Sequence, residues 1–204
     1  MDVSLLDVSS AAGLAATAAL TANYLLGMML GTAHRKAWYW NKLPAWAKRI
    51  RVYDVHNWTA YGALALAVVH PLLLVVDKTS RFTLVNVLFP IHAPHQRLFV
   101  AAGTLSFYAL LVVILTSQKG IRQRMSFRAW KNMHLLSYGT ALLFVVHGVV
   151  MDPLLKDRPV DFFDAEKLLS EGCALLLVVA TAYRVRYQLA KSRALKLRPQ
   201  KAQA

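Results

Sequence analysis

The sequence predicts an all-α integral membrane bundle of about five transmembrane helices, on three observations. Of the 204 residues 57% are apolar, with a mean hydropathy of +0.40, whereas soluble domains are about half apolar. The apolar residues come in blocks about 20 residues long, the length that crosses a hydrocarbon core of ~30 Å. The basic residues lie between and after these blocks. Because backbone N–H and C=O groups in lipid must be paired within their own segment, we expect each block to be a helix.

The candidate spans, which we assign to a single domain over residues 1–204, are 11–33, 55–76, 98–117, 133–151 and 168–183. The first block follows a start that contains Asp2 and Asp7 and no Lys or Arg. A cleavable signal peptide begins with positive charge, so we expect this block to be retained as a helix.

The other four blocks differ in how clearly they end. The second contains Pro71, and the third finishes in a strongly apolar run. The fourth stops before Asp152, and the fifth is interrupted by Glu171, which makes it the weakest of the five.

The distribution of Lys and Arg predicts the direction of the spans. Eighteen of these 24 residues lie in three segments, 34–54, 118–131 and 184–204. Under the positive-inside rule the N-terminus then lies outside and the basic tail 184–204 is cytoplasmic, as in a multi-pass protein of the cell membrane. The tail is expected either to bind acidic lipid head groups or to act as a stop-transfer signal.

The sequence disfavours both nucleic acid binding and cysteine-based sites. The net charge of +14 is spread between the apolar blocks and forms no basic face, so we expect no nucleic acid partner. The lone Cys173 lies in an apolar segment and offers neither a disulfide framework nor a cysteine-based metal site.

Four histidines lie inside the predicted spans, where ionisable groups are costly and therefore indicate function. His56 and His70 are 14 residues apart in the second span, and His134 and His147 are 13 apart in the fourth. At ~1.5 Å per residue these spacings correspond to about 20 Å. Both spans run in the same direction, so His56 is level with His134, and His70 is level with His147.

Two level pairs of histidines suit axial ligation of two haems between the second and fourth spans. Neutral imidazole binds iron well, and a histidine on each side of the iron favours electron transfer over binding of small molecules. Zinc is disfavoured because neither level holds four ligands. A proton channel or transporter that uses the histidines as a relay remains an alternative.

The 13-residue spacing poses a geometric problem. On a regular helix His70 returns to within about 40° of His56, whereas His147 lies about 140° away from His134. We therefore expect the fourth span to be bent or locally over- or underwound, unless the two haems contact it from different sides. Gly139 and Gly148 are the places where such a deformation is easiest.

The pattern resembles the ferric reductase-like transmembrane domain, the haem module shared by ferric reductases, NADPH oxidases and the membrane subunit of the bacterial methionine sulfoxide reductase system. The matching stretches are His56-Asn57-Trp58 with His70-Pro71, and the run from Trp130 to Tyr138 leading to Phe144–Gly148. The resemblance implies two haem b groups with His56–His134 and His70–His147 as ligand pairs. It also implies electron flow from the cytoplasm to an outer acceptor such as ferric iron, oxygen or a redox protein.

The resemblance leaves the electron donor open. Larger family members carry a flavin and NAD(P)H module, and this sequence shows no GxGxxG motif. A separate flavin/NAD(P)H reductase subunit or a quinol is expected to supply electrons, and a quinol-oxidising cytochrome b subunit is the nearest alternative function.

Several further residues are candidates for supporting roles. Haem propionates pair well with cations, and the candidates are Arg51, Arg128 and Lys131 near the cytoplasmic pair and Arg81 and Arg97 near the outer pair. His92 and His95, in the outer segment 77–97, are candidates to lie over the outer haem, to bind a metal substrate or to donate protons to the acceptor. The alternative is that they are simply exposed in a short loop that contains Pro94.

Overall fold

The computed structural model describes residues 4–32, 38–155 and 165–201. Residue 33, the last of the predicted first span, and the tail residues 202–204 lie outside these ranges. Within them the chain forms ten α-helices and no strand: α1 Leu5–Gly31, α2 Trp38–Lys42, α3 Ala45–Lys48, α4 Val52–Val76, α5 Leu84–Leu88, α6 Arg97–Ser117, α7 Lys119–Arg122, α8 Phe127–His134, α9 Leu136–Leu155 and α10 Ala165–Lys201.

Five of the described segments are long and apolar enough to cross a membrane, which confirms the predicted all-α membrane bundle. They are Leu5–Gly31, Val52–Val76, Arg97–Ser117, Phe127–Met151 and Ala165–Leu195. Large apolar side chains on these segments are exposed, including Leu98 (82%), Leu142 (66%) and Val178 (66%). Exposed apolar surface on this scale is typical of a lipid-facing bundle.

The first span begins earlier than the hydropathy pattern placed it. Its start is set by a capping box, in which the Ser4 hydroxyl accepts from the Asp7 N–H and the Asp7 carboxylate accepts from the Ser4 N–H. These contacts pair backbone N–H groups that have no partner within the helix. The helix therefore begins at Leu5, before the start at residue 11 that the apolar block predicts.

The fourth span is interrupted at Leu135, which lies in a turn between α8 and α9. His134 is the last residue of α8, and His147 lies within α9. The two histidines therefore lie on either side of an interruption in the helix. The helix is interrupted at Leu135, and it continues without interruption through Gly139 and Gly148.

The bundle is built from two packed pairs of helices. α1 packs along α4, α6 packs along α9, and α10 covers α1 and α9. By contrast, α4 and α9, which carry three of the four histidines, make little direct contact with each other. This arrangement leaves a space between α4 and α9 that is bordered by α1 and α6.

Residues 77–96 form a cap at the end of the bundle where α4 and α9 finish. Phe82 and Ala93 are buried against Val100 and Met151. Helix α5, within the cap, is tied to α6 because the Thr104 hydroxyl donates to the Val87 carbonyl (2.9 Å) and the Tyr108 hydroxyl donates to the Leu88 carbonyl (2.7 Å). These bonds satisfy carbonyls at the end of α5 that lack partners within the helix.

The last helix is much longer than the predicted span 168–183. α10 covers 37 residues, so most of the predicted basic tail continues as helix. Arg184 donates from its guanidinium to the Gly31 carbonyl at the end of α1. A cation at a helix C-terminus satisfies an unpaired carbonyl and opposes the negative end of the helix dipole.

Candidate functional site

The four intramembrane histidines form two facing pairs. The rings of His56 and His134 have centroids 6.3 Å apart with their planes at 66°. The rings of His70 and His147 also have centroids 6.3 Å apart, with their planes at 72°. Both pairs predicted from the spacing are therefore brought together, each across the space between the second and fourth spans.

The His70–His147 pair borders a cavity of about 220 Å³. All four packed helices contribute to its wall, and Phe82 and Val87 of the cap close one end. Most of the lining is apolar, from residues such as Leu14, Leu110 and Phe144. A mostly apolar cleft with a few polar groups is typical of a cofactor site.

The imidazoles of the His70–His147 pair are held through their Nδ1 atoms. The Ser9 carbonyl lies 2.8 Å from Nδ1 of His70, and the Phe99 carbonyl lies 2.8 Å from Nδ1 of His147. A carbonyl only accepts, so each Nδ1 carries the proton. Nε2 is then the nitrogen with a free lone pair in both rings.

In the His56–His134 pair, Nδ1 is hydrogen-bonded in one ring only. Nδ1 of His56 donates to the Asn23 carbonyl at 3.1 Å. Nδ1 of His134 is buried and has no hydrogen-bond partner among the residues that the structure describes. Its ring is instead stacked on Trp130, with centroids 5.0 Å apart and planes at 24°.

The predicted propionate partners lie at the surface. Arg128 and Lys131 are exposed on α8, and Arg97 is exposed in the first turn of α6. Arg51 forms an ion pair with Asp54 at 3.0 Å. Arg81 lies in the cap with a φ of 57°, a left-handed conformation that residues other than glycine seldom adopt.

The two cap histidines, His92 and His95, are also exposed. The His92 carbonyl accepts from the Asn86 side chain at 3.0 Å, which fixes the turn that contains it. Neither ring makes a described contact with the two histidine pairs.

The residues that orient the imidazoles were not among the predicted site residues. Ser9 and Asn23 of α1 and Phe99 of α6 act through backbone carbonyls, whose position no side-chain pattern reveals. A signal was nevertheless present for α1, because Ser9 and Asn23 are 14 residues apart, as are His56 and His70. Trp130 was visible as an aromatic residue four positions before His134, which is one helical turn.

The fold and the site together define a multi-pass membrane protein with histidines paired between its spans at two levels. A family model described as ferric reductase like transmembrane component matches residues 12–145, well over half of the chain. The chain therefore belongs to the ferric reductase-like transmembrane component family, and this membership indicates a role in transmembrane electron transfer. The matched range includes His56, His70 and His134 and ends two residues before His147. No curated protein and no solved structure matches the chain.

Members of this family commonly bind haem, and the histidine geometry fits that group. An iron–imidazole bond of ~2 Å on each side, with each nitrogen ~1 Å from its ring centroid, separates two centroids by about 6 Å. Both pairs have this separation, at 6.3 Å. The described residues contain no cluster of three or more His, Cys, Asp or Glu that would hold a bare metal ion. Two imidazoles on opposite sides suit an iron whose other four ligands come from a porphyrin.

Proposed function

We propose that the chain is the di-haem b electron-transfer subunit of a reductase in the cell membrane. It would pass electrons from a donor on the cytoplasmic side to an acceptor on the outer side. The observation that carries the proposal is the presence of two facing histidine pairs with the same 6.3 Å centroid separation. A single intramembrane histidine has many structural explanations, but two equivalent pairs at two depths do not.

In this proposal His56 with His134, and His70 with His147, are the axial ligand pairs. When bound, haem supplies the one-electron redox chemistry. The two imidazoles of each pair would both bind the haem iron, which would disfavour binding of small molecules there. With Nδ1 protonated in His56, His70 and His147, each of these rings presents Nε2 as the ligand atom.

The surrounding residues would exclude water from the site and pair with the charges of the haem propionates. The cap closes the His70–His147 level with apolar contacts from Phe82 and Val87. Arg81 and Arg97 at that end, and Arg51, Arg128 and Lys131 at the other, are proposed to pair with haem propionates. Such charge-assisted contacts are strongest for Arg, whose planar guanidinium matches a carboxylate.

The proposed direction follows the positive-inside rule, with the N-terminus outside and α10 ending in the cytoplasm. A separate flavin/NAD(P)H reductase subunit or a quinol would be the donor. Ferric iron, oxygen or an external redox protein would be the acceptor.

The first test is a reduced-minus-oxidised visible spectrum of the purified chain, with haem measured per protein. We expect a low-spin b-type spectrum and a ratio near two, which falls to near one in His70→Ala and in His134→Ala. His92→Ala is the matched control because it removes an exposed imidazole from the cap. Colourless protein that conducts protons would instead support the histidine relay.

A further inference from the structure

Three of the four imidazoles contact the same arrangement of two residues on a neighbouring helix. In each case a backbone carbonyl accepts a hydrogen bond from Nδ1, and a glycine four residues later faces the ring. The three pairs of residues are Ser9 with Gly13 against His70, Asn23 with Gly27 against His56, and Phe99 with Gly103 against His147. We call each such pair a carbonyl–glycine seat.

The glycines leave no room for a larger residue. A Cβ added at Gly103 would lie 2.8 Å from Nδ1 of His147, and one at Gly13 would lie 3.0 Å from Nδ1 of His70. At Gly27 the nearest atom would be Cε1 of His56 at 3.2 Å. By contrast, a Cβ at Gly62 or Gly139 would meet nothing within 4 Å. Apart from Gly31, where an added Cβ would lie 2.8 Å from the Arg184 guanidinium, these close contacts occur at the glycines that face histidines.

The four-residue spacing has a physical reason. Each Cα–Cβ bond in a helix tilts toward the N-terminus, so a side chain at position i+4 covers the turn that contains carbonyl i. A glycine at i+4 leaves that carbonyl open to an outside donor. The carbonyl has two lone pairs, so it can accept from the imidazole and keep its bond within the helix.

His134 is the exception. Within the described part of the chain its Nδ1 has no hydrogen-bond partner, and its ring is stacked on Trp130. The His70–His147 pair therefore has two seats, and the His56–His134 pair has one.

We propose that the three carbonyl–glycine seats are positioning elements that fix the proton of His56, His70 and His147 on Nδ1 and leave Nε2 to bind iron. This inference rests on the proposed haem function and assigns α1 and α6 a part in it. A hydrogen bond from Nδ1 to a carbonyl makes the imidazole a stronger donor to iron, and loss of such outer contacts weakens metal binding on the order of 10- to 100-fold.

The test compares single Gly→Ala variants of the purified full chain. We expect Gly103→Ala, Gly13→Ala and Gly27→Ala to weaken haem binding, in that order of severity, because their added Cβ would lie 2.8, 3.0 and 3.2 Å from the ring. The midpoint potential of the affected haem should shift upward as its ligand becomes a weaker donor. Gly62→Ala and Gly139→Ala are matched controls and should behave as the wild type.

A double variant separates positioning from packing. Methionine is flexible and needs no seat, so His147→Met should remove most of the effect of Gly103→Ala on haem content. A defect of Gly103→Ala that persists unchanged in the His147→Met background, including failure to fold, overturns the proposal because it reports general packing. Two haems of unaltered potential in all three seat variants also overturn it and leave the proposed function intact. A colourless wild type overturns both.

Discussion

Asn23 shows how a single polar residue is accommodated inside an apolar span. An amide buried without partners costs about 1–3 kcal/mol. The Asn23 amide nitrogen avoids this cost because it donates to the His56 carbonyl and to the Thr59 hydroxyl at 2.9 Å. The backbone carbonyl of Asn23 accepts a hydrogen bond from Nδ1 of His56. Asn23 and His56 are thus bonded in both directions, which fixes the ring and links α1 to α4.

Trp130 stacks on the His134 ring, whose Nδ1 has no hydrogen-bond partner among the described residues, and replacing Trp130 tests whether this contact positions the ring. The indole is itself held by the Arg122 guanidinium, 4.7 Å from the ring centroid, and by a 3.4 Å bond from Nε1 to the Ser117 hydroxyl. An aromatic pair contributes about 0.5–1.5 kcal/mol beyond the area it buries. We therefore expect Trp130→Leu to weaken haem binding at the His56–His134 level by up to about tenfold.

The measurement is haem titration of the purified variant followed by visible spectroscopy. Trp58→Leu is the control, because Trp58 is a span tryptophan that is 75% exposed. Equal haem affinity in the two variants would contradict a positioning role for Trp130.

The interruption at Leu135 lies between His134 and His147, whose 13-residue spacing would not bring them to one face of a regular helix. One inserted residue rotates a helix by about 100° and moves it ~1.5 Å along its axis. An alanine inserted after Leu135 should therefore turn α9 relative to α8, so that His134 and His147 no longer face His56 and His70 together. We expect the haem-to-protein ratio to fall by at least one.

An alanine inserted after Lys78 provides the control for that change. Lys78 is exposed in the turn after α4, outside the five spans. This insertion should keep the haem content of the wild type. Retention of both haems after the Leu135 insertion would show that the relative rotation of α8 and α9 does not set the ligand geometry.

The five spans and the histidine pairs could be predicted because hydropathy and residue spacing report on them directly. The bounds were harder, since the capping box at Ser4 extends α1 and the last helix continues past Tyr183. The interruption at Leu135 could not be predicted from the sequence, because leucine is a good helix former. The carbonyl–glycine seats were not predicted because they depend on backbone carbonyls of α1 and α6, which carry none of the four histidines.

Packing across the whole molecule follows the logic of a membrane bundle. Small residues such as Ala16, Ala63 and Ser106 are buried between helices, while many large apolar residues, such as Leu98, face outward. In lipid there is no hydrophobic drive between helices, so close contact and hydrogen bonds hold them together. Glycines that admit imidazoles therefore serve both packing and the site, which links the stability of the bundle to the geometry of its histidine pairs.

The orientation of the whole molecule can be tested with single cysteines. In a Cys173→Ala background, we expect His92→Cys in the cap to react with a membrane-impermeant maleimide added to intact cells. Gln123→Cys, between α7 and α8, should react only after the membrane is permeabilised. Both positions are exposed, so access depends on the side of the membrane. The physical reason is the cluster of Lys and Arg around Gln123, which resists translocation. The reverse pattern of labelling would mean that the chain is inserted the other way round, and electrons would then have to enter at the His70–His147 pair.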